Sequence, residues 1–233
     1  MLFADRIVVL TEEYRNELCK AHRWFFRPHK VKIIPNGIDS FLFYPNSLNN
    51  SKSKLIRLGM AARFSFSKRQ DLLIDALSLV LEQRPDISFE LHFAGDGDHL
   101  DHVKALVSNS SIAAHIHFDG LLSESQVAEW LKSMDIYLHA TAGESFCMSV
   151  LQAMATGLPI IASANVGITV VNGDGSDGIL VDNYTNLWAT EIIKLIDDCD
   201  RRKRMGFNAR KKAVDLYSAE ASLKSYLELV LSE

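Results

Sequence analysis

Glu144 is a lone carboxylate at the head of an otherwise uncharged stretch: residues 145–173 carry no acidic or basic side chain, and the next charge is Asp174. Eight positions after it stands one amide, Gln152, within Gly143–Pro159, a segment rich in apolar side chains. A polar pair in such surroundings costs free energy unless something satisfies it. Upstream, Arg63 and Lys68 follow a short apolar run, and Gly95-Asp96-Gly97-Asp98 follows another. Cations and a small-residue loop that opens a helix are the materials of an anion site. A carboxylate would repel phosphate, so Glu144 suits a hydroxyl-bearing part of the same ligand.

Those residues need a frame that gathers them. Apolar runs at 55–61, 89–94, 116–118, 136–140, 158–162 and 178–181 read as strands, preceded by shorter ones at 7–10 and 31–34. Helical stretches are expected over 11–21, 69–83, 99–107, 123–133 and the quoted segment, where Met148, Leu151, Met154 and Ala155 recur at helical spacing. Three more close the chain, near 185–199, 201–215 and 219–231. Alternation on this scale predicts an α/β fold, a Rossmann-like doubly wound parallel sheet. In such sheets ligands lie beyond the carboxyl ends of the strands, where the loops at 62–69, 95–98, 119–122, 141–144 and 163–167 would converge. The polar run at 46–54 reads as a linker.

Composition narrows the function classes. A net charge of −4 over 233 residues argues against a nucleic-acid-coating protein. Cys19, Cys147 and Cys199 are scattered and odd in number, which suits reduced thiols in a cytoplasmic protein. The uncharged stretch is long enough to span a bilayer, but Gly157, Pro159, Asn165 and Gly167 interrupt it, so a helix–turn–strand is expected instead. Asp96–His102 mixes acids and histidines but reads as a turn before a helix rather than a metal cluster. Gly95-x-Gly97 lacks the third glycine of a dinucleotide fingerprint. His115 and His117 share one face of a short strand and read as packing residues, whereas His139 lies close enough to the Glu144 loop for a site contact. Lys20–Lys30 mixes cations with aromatics, suiting a membrane surface or a domain interface. The basic runs at 201–204 and 210–212 read as solvated helix faces.

Taken in order, Ile34-Pro35-Asn36-Gly37-Ile38-Asp39 with Phe43 and Pro45, Gly59-x3-Arg63-x4-Lys68 before Asp71–Leu77, Phe93-Ala94-Gly95-Asp96-Gly97, Phe118-x-Gly120 and Gly143–Ala162 cover nearly the whole chain. The ordered set resembles the C-terminal, nucleotide-sugar-binding half of a GT-B retaining glycosyltransferase, most like glycosyltransferase family 4. The resemblance implies a transferase in which Arg63 and Lys68 hold the donor diphosphate as leaving group and Glu144 bonds the donor sugar hydroxyls. It also implies that donor contacts run through Ser145, Phe146 and Cys147, and that the base rests near Gly120, Leu121 and Leu122. The donor would be a UDP-, GDP- or ADP-sugar, with no metal required.

Two positions depart from the family pattern. Gln152 is neutral where the family has the second acid of Glu-x7-Glu, which binds ribose. Ile168-Thr169-Val170-Val171 follows Gly167 where a glutamate is usual.

By the same resemblance, residues 1–45 are the end of an acceptor domain and the crossover from it. Residues 46–215 are the donor domain and 216–233 a C-terminal helix. The acceptor, a glycan or lipid-linked sugar such as serves cell-surface polysaccharide synthesis, would sit on an N-terminal domain not contained in this sequence. A location in the cytoplasm, with contact at the inner face of the membrane, would follow. A non-catalytic donor-binding or regulatory subunit, a GT-B sugar-nucleotide epimerase and a dehydrogenase are the alternatives.

Overall fold

In the computed structural model, residues 5–21, 30–46, 55–165, 168 and 170–231 are described. The aromatic–cationic run His22–His29, most of the 46–54 linker and Gly167 lie outside them. A two-stranded parallel sheet pairs β1 (Ile7–Val9) with β2 (Val31–Ile33), joined through α1 (Glu12–Ala21). Thr11 caps α1: its hydroxyl accepts from the Tyr14 N–H at 3.1 Å.

The larger sheet holds six strands: β3 (Leu55–Ala61), β4 (Ser88–Ala94), β5 (Ile116–Gly120), β6 (Ile136–His139), β7 (Ile160–Ser163) and β8 (Ile179–Val181). Their spatial order is β5-β4-β3-β6-β7-β8, with every pairing parallel. Numbered from β3, this is the 3-2-1-4-5-6 order of the Rossmann fold, so the strand order reverses between β3 and β6. The connecting helices are α2 (Gln70–Gln83), α3 (Leu100–Ser108), α4 (Glu124–Lys132), α5 (Met148–Ala155), α6 (Thr185–Asp197) and α7 (Cys199–Tyr217), with α8 (Ala219–Leu231) last.

Both faces of the sheet are covered, and each has its own core. Leu58, Phe89, Leu91, Phe93, Leu138 and Ile161 point to one face, against Leu73 and Leu77 of α2 and Trp188 and Ile192 of α6. Tyr137, Ile160 and Ala162 point to the other, against Leu131 of α4, Val150, Leu151 and Met154 of α5 and Ala209 and Ala213 of α7. Double burial is why the central strands read as unbroken apolar runs. Phe43 is fully buried in the second core, and Arg210 of α7 donates to the carbonyls of Ser40, Phe43 and Ala155. The segment after β2 is thereby fastened onto α5 and α7. The Ile38 N–H donates to the Tyr217 carbonyl at 2.7 Å, and the Ile38 carbonyl accepts from the Ala219 N–H at 2.9 Å. Among the described residues no helix is long and apolar enough to cross a membrane.

Candidate functional site

The loops after β3, β4 and β5 are laced by backbone hydrogen bonds: Ala62 N–H to the Ala94 carbonyl at 3.0 Å, Phe64 N–H to Asp96 at 2.9 Å and Gly95 N–H to Gly120 at 2.7 Å. This lacing explains the two glycines after β4. Gly95 (φ +138°) and Gly97 (φ +153°) lie in backbone regions reserved for glycine. A Cβ on Gly95 would stand 2.1 Å from the Ala62 carbonyl oxygen, and one on Gly97 2.2 Å from that of Phe64. The Gly-x-Gly pair therefore serves close approach of two backbones. Between these loops lies a cavity of about 490 Å³ lined by Ala62, Arg63, Gly95, Asp96, Leu121 and Leu122, among others. The Arg63 guanidinium reaches Asp98 at 3.0 Å, and both side chains are exposed.

A second group forms at the reversal between β3 and β6. The β3 loop ends in a 3₁₀ turn, Phe66–Lys68, followed by Arg69 at φ +44°, the one non-glycine residue with positive φ among the described residues. That turn is tied to the β6 loop, since the Ser67 carbonyl accepts from Ala142 N–H at 2.7 Å and from the Thr141 hydroxyl at 3.1 Å. Thr141 is in turn held by Ser163, the last residue of β7, and by Asn183, just after β8. The result is a direct ion pair between Lys68 Nζ and Glu144, across 76 positions of sequence, with each side chain less than one-fifth exposed.

Beneath this pair lies His139, 1% exposed, with Nε2 3.3 Å from Glu144 and 3.2 Å from Cys147 Sγ. Burial works against the ionised form of Glu144, but hydrogen bonds from His139 and Lys68 outweigh it and bring its pKa down to about 2. Burial likewise opposes a charged His139, yet Cys147 and Glu144 beside it push its pKa up, while His139 draws that of Cys147 down. His139, Glu144 and Cys147 also offer metal-donor atoms within 4.8 Å of one another, but the Lys68 ammonium already occupies the carboxylate.

The structure thus brings Lys68 and Glu144 into contact and places Arg63, Leu121 and Leu122 on the neighbouring cavity, next to Gly120. Ser145 is exposed beside Glu144. Phe146 and Cys147 turn their side chains into the second core, leaving their backbone at the mouth of α5. Gln152, half-buried, lies one turn along that helix. Sequence reasoning missed Asp98 as the partner of Arg63 and the burial of His139 against Cys147. The acidic–histidine run 96–102 forms no metal-donor group among the described residues.

The six-stranded parallel order, with its reversal between β3 and β6, defines a Rossmann-like doubly wound α/β fold. The sequence profile described as "Glycosyl transferases group 1" matches residues 45–212, most of the chain, and the protein belongs to that family. It is 26% identical over 235 residues to the D-inositol 3-phosphate glycosyltransferase of Corynebacterium diphtheriae, covering 95% of this chain and 55% of the relative. The enzyme of that name from Paenarthrobacter aurescens is 26% identical over 213 residues, covering 86% and 52%. The chain spans about half the length of these curated relatives.

Anabaena HepE, solved in complex with UDP and glucose, superposes with a TM-score of 0.86 at 20% identity, covering 99% of this chain and 64% of that one. The C-terminal domain of a glycosyl transferase group 1 family protein from Francisella tularensis superposes at 0.68 with 22% identity, covering 78% of this chain and the whole of that domain.

Proposed function

We propose that this chain is the donor-binding half of a retaining glycosyltransferase. It takes a nucleotide-diphosphate sugar and, with an acceptor domain, transfers the sugar to a glycan or lipid-linked acceptor. The observation that carries the reading is the Lys68–Glu144 pair at the strand-order reversal, beside a cavity edged by Arg63. Arg63 and Lys68 neutralise the diphosphate, and charge developing on that leaving group is the quantity such cations stabilise. Glu144, kept ionised by His139 and Lys68, accepts from sugar hydroxyls. The exposed backbone at Gly120 and the Leu121–Leu122 wall suit a base, and Gln152 suits ribose. The division at 45/46 and the role of 216–233 as a separate helix belong to the same proposal. Exposed Leu223, Tyr226, Leu227 and Val230 on α8 are what a neighbouring domain would cover.

A thermal-shift panel of UDP, GDP and ADP, with and without a sugar, tests the reading. A ligand at one hundred times its Kd stabilises by about 2.7 kcal/mol, which raises Tm by roughly 5–10 °C in a chain of this size. Arg63→Ala removes about half of the shift or more. No shift with any nucleotide would refute donor binding. The substitution of Gln152 for an acid favours a second reading, a donor-binding subunit without turnover. Transfer by the chain reconstituted with an acceptor domain, scored by the anomeric configuration of the product, separates the two.

A further inference from the structure

On the α4 side of the sheet, at the β4–β5 edge, four polar side chains face the same way. Glu90 and His92 are two apart on β4, and His117 is the register partner of His92 on β5. The imidazoles of His92 and His117 are stacked, with centroids 4.6 Å apart and planes 18° apart. Glu90 reaches both: Oε2 lies 3.5 Å from His92 Nε2 and Oε1 3.8 Å from His117 Nε2. The first is a hydrogen bond at the outer limit of length and the second is too long for one. Both are close to the roughly 3.3–3.5 Å between ligands around a tetrahedral ion with bonds of about 2.0–2.2 Å.

Two further observations point the same way. Asp119 Oδ2 lies 3.0 Å from His92 Nδ1 and itself accepts from the Trp130 indole N–H at 2.7 Å. Asp119 accepts a hydrogen bond from the Trp130 indole and can accept another from His92 Nδ1–H; that tautomer of His92 would free Nε2 for an ion. A carboxylate behind an imidazole is the usual support of a metal-binding histidine. His117 Nε2, for its part, is a buried atom with no hydrogen-bond partner, which is costly unless something takes it up.

We propose that Glu90, His92 and His117 form a binding site for a divalent transition ion of the Zn²⁺ type, with the remaining position open to water. The donor set of two imidazoles and a carboxylate is one such ions accept. The ion would rivet β4 to β5 and, through Asp119 and Trp130, to α4. Arg57, 3.4 Å from Glu90 Oε2, shares that carboxylate, but its side chain is half exposed and leaves Oε1 to the ion. The site stands about two residues, some 7 Å, back along β4 from the cavity that Ala94 and Gly95 line.

The test is calorimetric titration of the chelator-treated chain with ZnCl₂, followed by the absorption spectrum of the Co²⁺ form. The expected result is one ion per chain and a Co²⁺ spectrum without a thiolate charge-transfer band, which separates this site from the His139–Cys147 group. His92→Ala and Glu90→Gln each weaken binding tenfold or more, Asp119→Asn weakens it about tenfold, and Cys147→Ala leaves it unchanged. Circular dichroism of each metal-free variant checks the fold, and Glu90→Gln, which changes charge but little volume, supplies a variant of nearly native shape. No stoichiometric binding by the unaltered chain, a thiolate band, or undiminished affinity in both Glu90→Gln and His92→Ala would overturn the proposal.

Discussion

Replacing Glu144 with glutamine removes one charge and little volume at the most enclosed point of the site. Lys68 and His139 then face a neutral amide. The fall of the carboxyl from 4.5 to about 2 in the folded chain corresponds to about 3 kcal/mol at neutral pH. The amide keeps some hydrogen bonding, so a loss of about 2 kcal/mol is expected at pH 7, or roughly 4–8 °C in Tm. Because the folded pKa is depressed, this contribution is complete above 4.5 and is lost as the pH falls through about 2. At pH 3 less than half of it remains, so the gap between parent and variant narrows accordingly. Urea unfolding of both proteins at pH 7, 4 and 3 measures this directly. A variant within about 0.5 kcal/mol of the parent at pH 7, or a gap that does not shrink in acid, would show that Glu144 is not held as described.

Three further substitutions separate scaffold from site. Gly95→Ala forces a Cβ to 2.1 Å from the Ala62 carbonyl oxygen at φ +138° and is expected to cost more than about 3 kcal/mol in urea unfolding; a near-neutral result would contradict the close approach of the two loops. Arg63→Ala, at an exposed pair, changes stability by less than about 0.5 kcal/mol but weakens nucleoside-diphosphate binding tenfold or more by calorimetry. Unchanged binding would remove Arg63 from the site. Gln152→Glu restores an acid on α5 and is expected to tighten ribonucleotide binding several-fold, since a charged acceptor is about twice as strong as a neutral one. Equal affinity for ribo- and 2′,3′-dideoxy-diphosphates in both proteins would take the position away from the ribose.

Much of the fold could be read from the chain because its signals are local. Double burial gives the central strands continuous apolar runs, and Met148, Leu151, Met154 and Ala155 mark the buried side of α5. Small errors at the ends, such as β7 beginning at Ile160 rather than Leu158, follow from Pro159, which has no N–H to give to a ladder. That Arg63, Lys68 and Glu144 share one rim also followed from sequence, through the rule that binds ligands to strand ends. Their division into a cavity edge and a separate ion pair did not. That outcome depends on the Ser67 carbonyl meeting Thr141 and on Asp98 reaching Arg63, contacts between segments tens of residues apart.

The histidines show the same limit from the other side. His117 reads from the sequence as a packing residue, yet the alternation Phe89-Glu90-Leu91-His92-Phe93 and Ile116-His117-Phe118-Asp119 leaves β5, at the edge of the sheet, and β4 beside it with one polar face. What it could not say is the register. Shifting β5 by one residue against β4 would place Phe118 opposite His92 and bury His117 on the side of Leu91. Only the parallel pairing of β4 with β5 sets His117 against His92 and puts Asp119 behind the latter's Nδ1. A sequence pattern can therefore nominate donor types on a face, while the chemistry of the group is decided by a pairing that the pattern leaves open.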